Sequence, residues 1–95
     1  MSPSTAATPS SDDVLAVLRA TMHAEFGLSP QQIEPSAHLI DDLDLDSIDL
    51  VDLAVSLEER SGIKLDEEDL KSVRTVADAV VVIHAAFARR SAGGR

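Results

Sequence analysis

Asp42-Leu43-Asp44-Leu45-Asp46-Ser47-Ile48-Asp49-Leu50 is the most informative segment of this chain, and in it an acidic loop passes into an apolar segment of helical period. It places a single serine, Ser47, among four aspartates. A serine hydroxyl needs a neighbouring base such as histidine to act as a nucleophile, and the nearest histidine in the sequence is His38. We therefore predict that Ser47 is an acceptor that another enzyme modifies, and not a catalytic residue.

The segment that follows is predicted to form an amphipathic helix from about Ser47 to Arg60. Serine is a preferred N-cap residue, worth about 1 kcal/mol, so the structural alternative for Ser47, which is compatible with its modification, is that it caps this helix. Apolar residues recur every three or four positions, which places them on one arc facing a core: Leu50, Leu53, Ala54 and Leu57.

Three more helices are predicted on either side of this segment. The first runs from about Asp12 to Phe26, with Leu15, Leu18, Met22 and Phe26 on one face. A short acidic helix covers 66–70. The last helix begins at a capping-box pattern, Thr75 to Asp78, and runs to about Arg90, with Val76, Val80, Ile83 and Phe87 inside.

A long loop, roughly Leu28 to Asp46, joins the first two long helices. Loops of this length are unusual in a small domain and are often functional. Its apolar residues are expected to pin it to the core: Ile33, Leu39, Ile40, Leu43 and Leu45. The sequence thus predicts a disordered lead over residues 1–10, one all-α domain over 11–90 and a flexible tail over 91–95.

Composition agrees with an aliphatic helical core and excludes several chemistries. The chain has 95 residues, 44% of them hydrophobic, with two Phe, no Trp, no Tyr and no Cys. Thiolate metal sites and a cysteine nucleophile are therefore excluded. No apolar run reaches the ~18 residues of a membrane span, and the N-terminus lacks the features of a secretory signal. We expect a soluble, cytoplasmic protein.

The formal net charge is -9, and most of the acids lie within residues 41–69. Nucleic acid is disfavoured as a partner because phosphate binding needs Lys and Arg. Basic protein surfaces are favoured because the acidic field would attract them. The alternative is a solvated acidic face that serves solubility alone.

Two other interpretations of the acidic run fail on its spacing. Asp42-x-Asp44-x-Asp46 begins like an EF-hand loop, but Ser47 stands where Gly is required and Leu53 where Glu is required. A hydrolase is disfavoured because the aspartates alternate with leucines in a segment expected to be solvated, and a G-x-S-x-G elbow is missing. His23, His38 and His84 show no ligand spacing. We predict neither a catalytic residue nor a metal site.

The run Leu45-Asp46-Ser47-Ile48-Asp49-Leu50-Val51-Asp52-Leu53, continuing to Leu57-Glu58-Glu59, resembles the attachment site of acyl carrier proteins. The resemblance covers about residues 12–90. Ile48 stands where leucine is commoner, and Leu45 where glycine is common. The resemblance implies a four-helix bundle of three long helices and one short helix. It also implies that Ser47, preceded by Asp46, carries 4'-phosphopantetheine and that acyl groups are held as thioesters on its thiol.

The resemblance further implies docking on basic patches of a phosphopantetheinyl transferase and of synthases, acyltransferases, reductases and dehydratases. The docking residues would be Ile48, Asp49, Asp52, Val55, Glu58 and Glu59. The acyl chain would shelter between the helices of a monomer, against residues such as Leu53, Leu57, Ile63 and Ile83. Two alternatives stay open. Ile48 and Val55 could simply widen the core face, and the chain could be a non-carrier binding domain that reuses the fold.

Overall fold

The computed structural model describes residues 9–93, with side chains described as far as Arg90. Most of the predicted lead, residues 1–8, lies outside this range, as do the side chains of the predicted tail. Residues 9–93 form four α-helices: α1 (Ser11–Phe26), α2 (Ser47–Ser61), α3 (Glu67–Lys71) and α4 (Val76–Gly93), with a 3₁₀ turn at Pro30–Gln32. The predicted all-α class, with three long helices, one short helix and a long loop after the first, is confirmed.

Local capping residues fix three ends of the long helices α1 and α2. The Ser10 hydroxyl accepts a hydrogen bond from the backbone N–H of Asp13 and caps the start of α1. Gly27 and Gly62 follow α1 and α2 in the left-handed conformation, with φ of 73° and 72°. This conformation lets each glycine N–H bond back to a carbonyl of the preceding turn, and a residue with a Cβ adopts it at a cost. Both helices therefore stop at a glycine.

A single aliphatic core joins the helices to the long loop. Both α2 and α4 pack against α1, and α3 bridges α2 and α4. On α1 the fully buried apolar residues are Val14, Leu18 and Met22, whereas Leu15 and Phe26 are only partly buried. The predicted inner face of α1 is therefore correct at two of its positions and rotated slightly towards Val14.

The loop is held to the core as predicted, with one exception. Ile33, Leu39, Leu43 and Leu45 are buried, but Ile40 is 55% exposed, so the prediction that Ile40 pins the loop is wrong. Backbone bonds explain the difference. The N–H of Leu39 donates to the Arg74 carbonyl, and the N–H of Val76 donates to the Ala37 carbonyl. These two hydrogen bonds form a short antiparallel bridge that turns Leu39 inward. The next side chain then points outward.

The start of α4 is fixed by the predicted capping box. The Asp78 carboxylate accepts hydrogen bonds from the backbone N–H groups of Arg74 (3.1 Å) and Thr75 (3.2 Å). The Thr75 hydroxyl accepts one from the N–H of Asp78 (3.2 Å). The bond from Thr75 and then that from Arg74 hold the pKa of Asp78 below its ordinary value of 3.8. Because this pKa is lowered on folding, the carboxylate stabilises the fold above pH 3.8 and stops doing so as the pH falls through its folded pKa.

Asp78→Ala is therefore expected to lower the free energy of unfolding at neutral pH. The difference from the wild type should shrink as the pH falls below about 3.8, because the protonated carboxyl no longer favours the folded state. Urea unfolding of both proteins at several pH values measures it. A difference that stays constant down to about pH 3 would contradict this role.

Candidate functional site

Ser47 is the first residue of α2, and it is exposed. The N-cap is its neighbour Asp46, so the alternative in which Ser47 caps the helix is wrong. Asp46 accepts a hydrogen bond from the N–H of Asp49 (2.9 Å), and Asp49 accepts one from the N–H of Asp46 (3.1 Å). Carboxylates accept backbone hydrogen bonds more strongly than a hydroxyl does. This reciprocal pair leaves the Ser47 hydroxyl without a hydrogen bond to any side chain or backbone group in the described part of the chain.

The other aspartates of the run shape the turn that delivers Ser47. The Asp42 carboxylate accepts a hydrogen bond from the backbone N–H of His38 (2.8 Å). Asp44 has a φ of 62°, a left-handed conformation that Asp tolerates better than most residues. Sequence analysis treated these acids as surface charge and missed their backbone roles. The Asp46-x-x-Asp49 spacing of a capping box was the signal that would have revealed one of them.

The start of α2 also offers unsatisfied backbone donors. The capping box uses the N–H groups of Asp46 and Asp49, while those of Ser47 and Ile48 have no partner among the described residues. The positive end of the helix dipole lies at the same place. An anionic group attached to Ser47 is therefore favoured by the helix start, although the neighbouring carboxylates oppose it.

An open cleft of about 330 Å³, lined in part by Ser47, lies between α2 and α3. Its lining is mostly apolar and includes two charged residues: Ile40, Ser47, Leu50, Val51, Glu67, Leu70, Lys71 and Val73. The exposed side chain of Ile40 is part of this lining. Leu50, Leu70 and Val73 also line a small cavity of about 20 Å³ inside the bundle. These shared residues make a continuous apolar wall from Ser47 to the core.

The predicted docking residues fall into two groups. Ile48 is 72% exposed and Val55 is 46% exposed, so neither belongs to the core. Asp52 and Glu59 are exposed beside them. Val51 is 51% exposed and extends this apolar surface, although it was not among the predicted docking residues.

The other two predicted docking residues are bonded to the backbone. Asp49 closes the capping box, and Glu58 accepts a hydrogen bond from the N–H of Leu65 at 2.8 Å. The second bond ties the end of α2 to the segment that leads into α3. From the opposite side, Arg89 of α4 pairs with Asp69 at 3.6 Å and donates to the Lys64 carbonyl at 3.4 Å. Helix α3, one wall of the cleft, is thus held by both neighbouring helices.

Two features are absent from the described part of the chain. Across the residues that the structure describes, no group of three or more His, Asp or Glu side chains is placed to hold a metal ion. None of the helices described here is both long and apolar enough to cross a membrane.

Comparison with known proteins identifies the class. A family model described as "Phosphopantetheine attachment site" matches residues 16–80. The chain is 41% identical over 76 residues to acyl carrier protein 2 of Ralstonia nicotianae, covering 80% of this chain and 94% of that one. It is 38% identical over 79 residues to the acyl carrier protein of Renibacterium salmoninarum, covering 83% and 98%.

A third relative and one solved structure extend the comparison. The meromycolate extension acyl carrier protein of Mycolicibacterium aurum is 36% identical over 74 residues, covering 78% of this chain and 76% of its own. The solution structure of the acetyl actinorhodin acyl carrier protein from Streptomyces coelicolor superposes with a TM-score of 0.57 at 23% identity, covering 90% of this chain and 98% of that one. That likeness supports the fold alone.

The chain therefore contains a domain of the family to which phosphopantetheine is attached. With this fold and these relatives, the chain belongs to the acyl carrier proteins. The described residues fit the group, since an exposed and unbonded serine hydroxyl stands at a helix start beside an open apolar cleft. When bound, 4'-phosphopantetheine supplies the thiol that this cysteine-free chain lacks, and acyl groups are carried on that thiol as thioesters.

Proposed function

We propose that Ser47 is the residue that bears 4'-phosphopantetheine. The observation that carries the proposal is the free hydroxyl of Ser47 at the start of α2, made available because Asp46 and Asp49 satisfy the cap. A transferase needs such an exposed hydroxyl as its acceptor. Asp46 contributes by fixing the start of the helix, and thereby the position of Ser47.

The chain acts as a discrete carrier for fatty-acid or polyketide synthesis and catalyses no reaction itself. Several features support this role: an apolar wall leads away from Ser47, the chain spans nearly the whole of two bacterial carriers, and one relative is named for meromycolate extension. The other candidate function is a binding domain that keeps the fold without the modification.

Intact mass separates the two functions. Co-expression with a phosphopantetheinyl transferase should add one pantetheine unit to the wild-type chain, and release of the bound thioester should yield an acyl group that mass spectrometry identifies. A chain that stays unmodified with several transferases would favour the binding domain. The structure of the released acyl group would indicate whether the carrier serves fatty-acid or polyketide synthesis.

The exposed face of α2 is proposed as the surface that docks partner enzymes, namely the transferase, synthases, acyltransferases, reductases and dehydratases. Ile48 and Val55 supply apolar contacts, and Asp52 and Glu59 supply negative charge beside them. Such a surface attracts basic patches quickly and releases them easily, as a carrier requires. Asp49 and Glu58 remain proposed docking residues, although both also hold the backbone.

Charge reversal at Asp52 tests the docking surface. Asp52→Lys should slow loading by the transferase several-fold at low salt, because it places a positive charge against a basic partner, and the effect should shrink as salt screens the charges. Asp12→Lys is the matched control, since Asp12 is an exposed aspartate near the start of α1. Circular dichroism should show unchanged helicity for both. Equal loading rates for Asp52→Lys and the wild type at low salt would remove the docking role.

The carrier is further proposed to act as a monomer in the cytoplasm. A shuttle between separate enzymes must present one face to each of them in turn, which a monomer with a single exposed α2 face does directly. Sedimentation and cell fractionation test this.

A further inference from the structure

The cleft beside Ser47 contains a basic residue that the carrier role alone does not explain. Lys71, the last residue of α3, is exposed and lines the cleft, and it is the one Lys or Arg in that lining. The other charged residue of the lining is Glu67, four positions earlier on α3. The rest of the wall is apolar apart from Ser47 itself.

The charges around Ser47 make this lysine significant. Asp46 and Asp49 lie on either side of Ser47, and their carboxylates accept the hydrogen bonds of the helix cap. Two negative charges therefore lie close to the Ser47 hydroxyl. A phosphodiester attached to Ser47 adds another negative charge at the same place. By covalent connection it is the part of the arm nearest to Ser47, and therefore the first part to meet the cleft. Lys71 is the cation in that cleft.

No carboxylate of the described side chains lies within ion-pair distance of the Lys71 ammonium group. The ion pair that the described side chains do form joins Arg89 to Asp69. Glu67 stands at the i−4 position, which is the favourable order for a helical Glu–Lys pair, yet the two do not meet within 4 Å. The position of Lys71 is nevertheless constrained. Helix α3 is tied to α4 through Asp69, and the segment leading into it is tied to α2 through Glu58.

We propose that Lys71 is a positioning residue for the prosthetic arm. Its ammonium group pairs with the phosphodiester on Ser47 and holds the arm along the cleft between α2 and α3, where the apolar wall of Leu50, Leu70 and Val73 continues to the core. Glu67 competes for the same ammonium group and limits the strength of this pairing. The proposal rests on the assignment of Ser47 as the attachment residue.

The test compares apo and holo proteins by NMR, after intact mass has verified one pantetheine unit on each holo sample. In the wild type, loading should shift the backbone amide signals of residues 70–73 and the ³¹P signal of the phosphodiester should depend on salt. Both effects should be lost in Lys71→Gln and kept in Lys64→Gln, which removes the same charge from an exposed residue outside the cleft lining. In about 1 M salt, where the screening length is ~3 Å, the wild type should approach Lys71→Gln.

Two further variants separate charge pairing from a structural role. Lys71→Arg should restore the shifts, since guanidinium also binds phosphate, and Glu67→Gln should enlarge them by removing the competitor. Loading shifts in Lys71→Gln equal to those of the wild type would overturn the proposal for Lys71 and leave Ser47 untouched. Failure of mass spectrometry to find pantetheine on Ser47 in the wild type would instead overturn the proposed function.

Discussion

Ser47→Ala is expected to abolish attachment of phosphopantetheine completely. The transferase reaction needs a hydroxyl as acceptor, and alanine has none. Intact mass after incubation with a transferase and coenzyme A should show one added pantetheine unit on the wild type and an unchanged mass for the variant. Any acyl loading that depends on the arm should disappear with it.

Ser56→Ala is the control, because it removes the same hydroxyl group from the same helix. Ser56 is half-buried, whereas Ser47 is exposed at the helix start. It should be loaded at the wild-type rate. Undiminished loading of Ser47→Ala, or peptide mapping of the pantetheine to another residue, would refute the assignment. Such a result would also weaken the interpretation of the cleft that Ser47 lines.

The stability of Ser47→Ala should stay close to that of the wild type. An N-cap serine replaced by alanine costs about 1 kcal/mol, and from the sequence alone this is the largest loss expected. The structure assigns the cap to Asp46 and Asp49, so the substitution removes no capping bond. Alanine is also the better helix former at an exposed position. Loss of modification without loss of stability then identifies Ser47 as a functional residue.

The order of helices and most of the core could be predicted from the sequence because each rests on local rules. Gly27 and Gly62 mark helix ends, and Thr75 with Asp78 forms the predicted box. The spacing of Leu53, Ala54 and Leu57 places them inside. In each case the residues that decide the structure lie within one or two turns of one another, where periodicity and capping preferences act directly.

The misses share a different cause. The exposure of Ile40 follows from the bridge between His38 and Thr75, two segments far apart in sequence. Glu58 bonds to Leu65 across the turn after α2, and Lys71 borders the cleft with Ser47 only because α3 folds back beside α2. These are tertiary placements, and no spacing within one helix encodes them. The candidate serine could be identified from the residues beside it in the sequence, but the cleft that it lines could not.

The second large effect is expected in the core, at Leu53 of α2. This residue is 4% exposed and lines the cavity of about 20 Å³ inside the bundle. That volume is close to what one water molecule requires, so an acyl chain cannot enter between the helices unless side chains or α3 give way. Leu57 and Ile83, which are also expected to contact the acyl chain, line the same cavity.

Leu53→Ala should lower the free energy of unfolding of the apo protein by about 2–5 kcal/mol, through lost burial and the larger cavity. The same substitution should cost less once the arm carries an acyl chain. Each methylene that fills the enlarged cavity regains about 0.8 kcal/mol. Urea unfolding of apo and acylated proteins measures both values. Val81→Ala on α4, where the side chain is 67% exposed, should change stability by no more than about 0.5 kcal/mol. If Leu53→Ala lowers the free energy of unfolding equally in the apo and acylated proteins, the acyl chain does not lie beside Leu53.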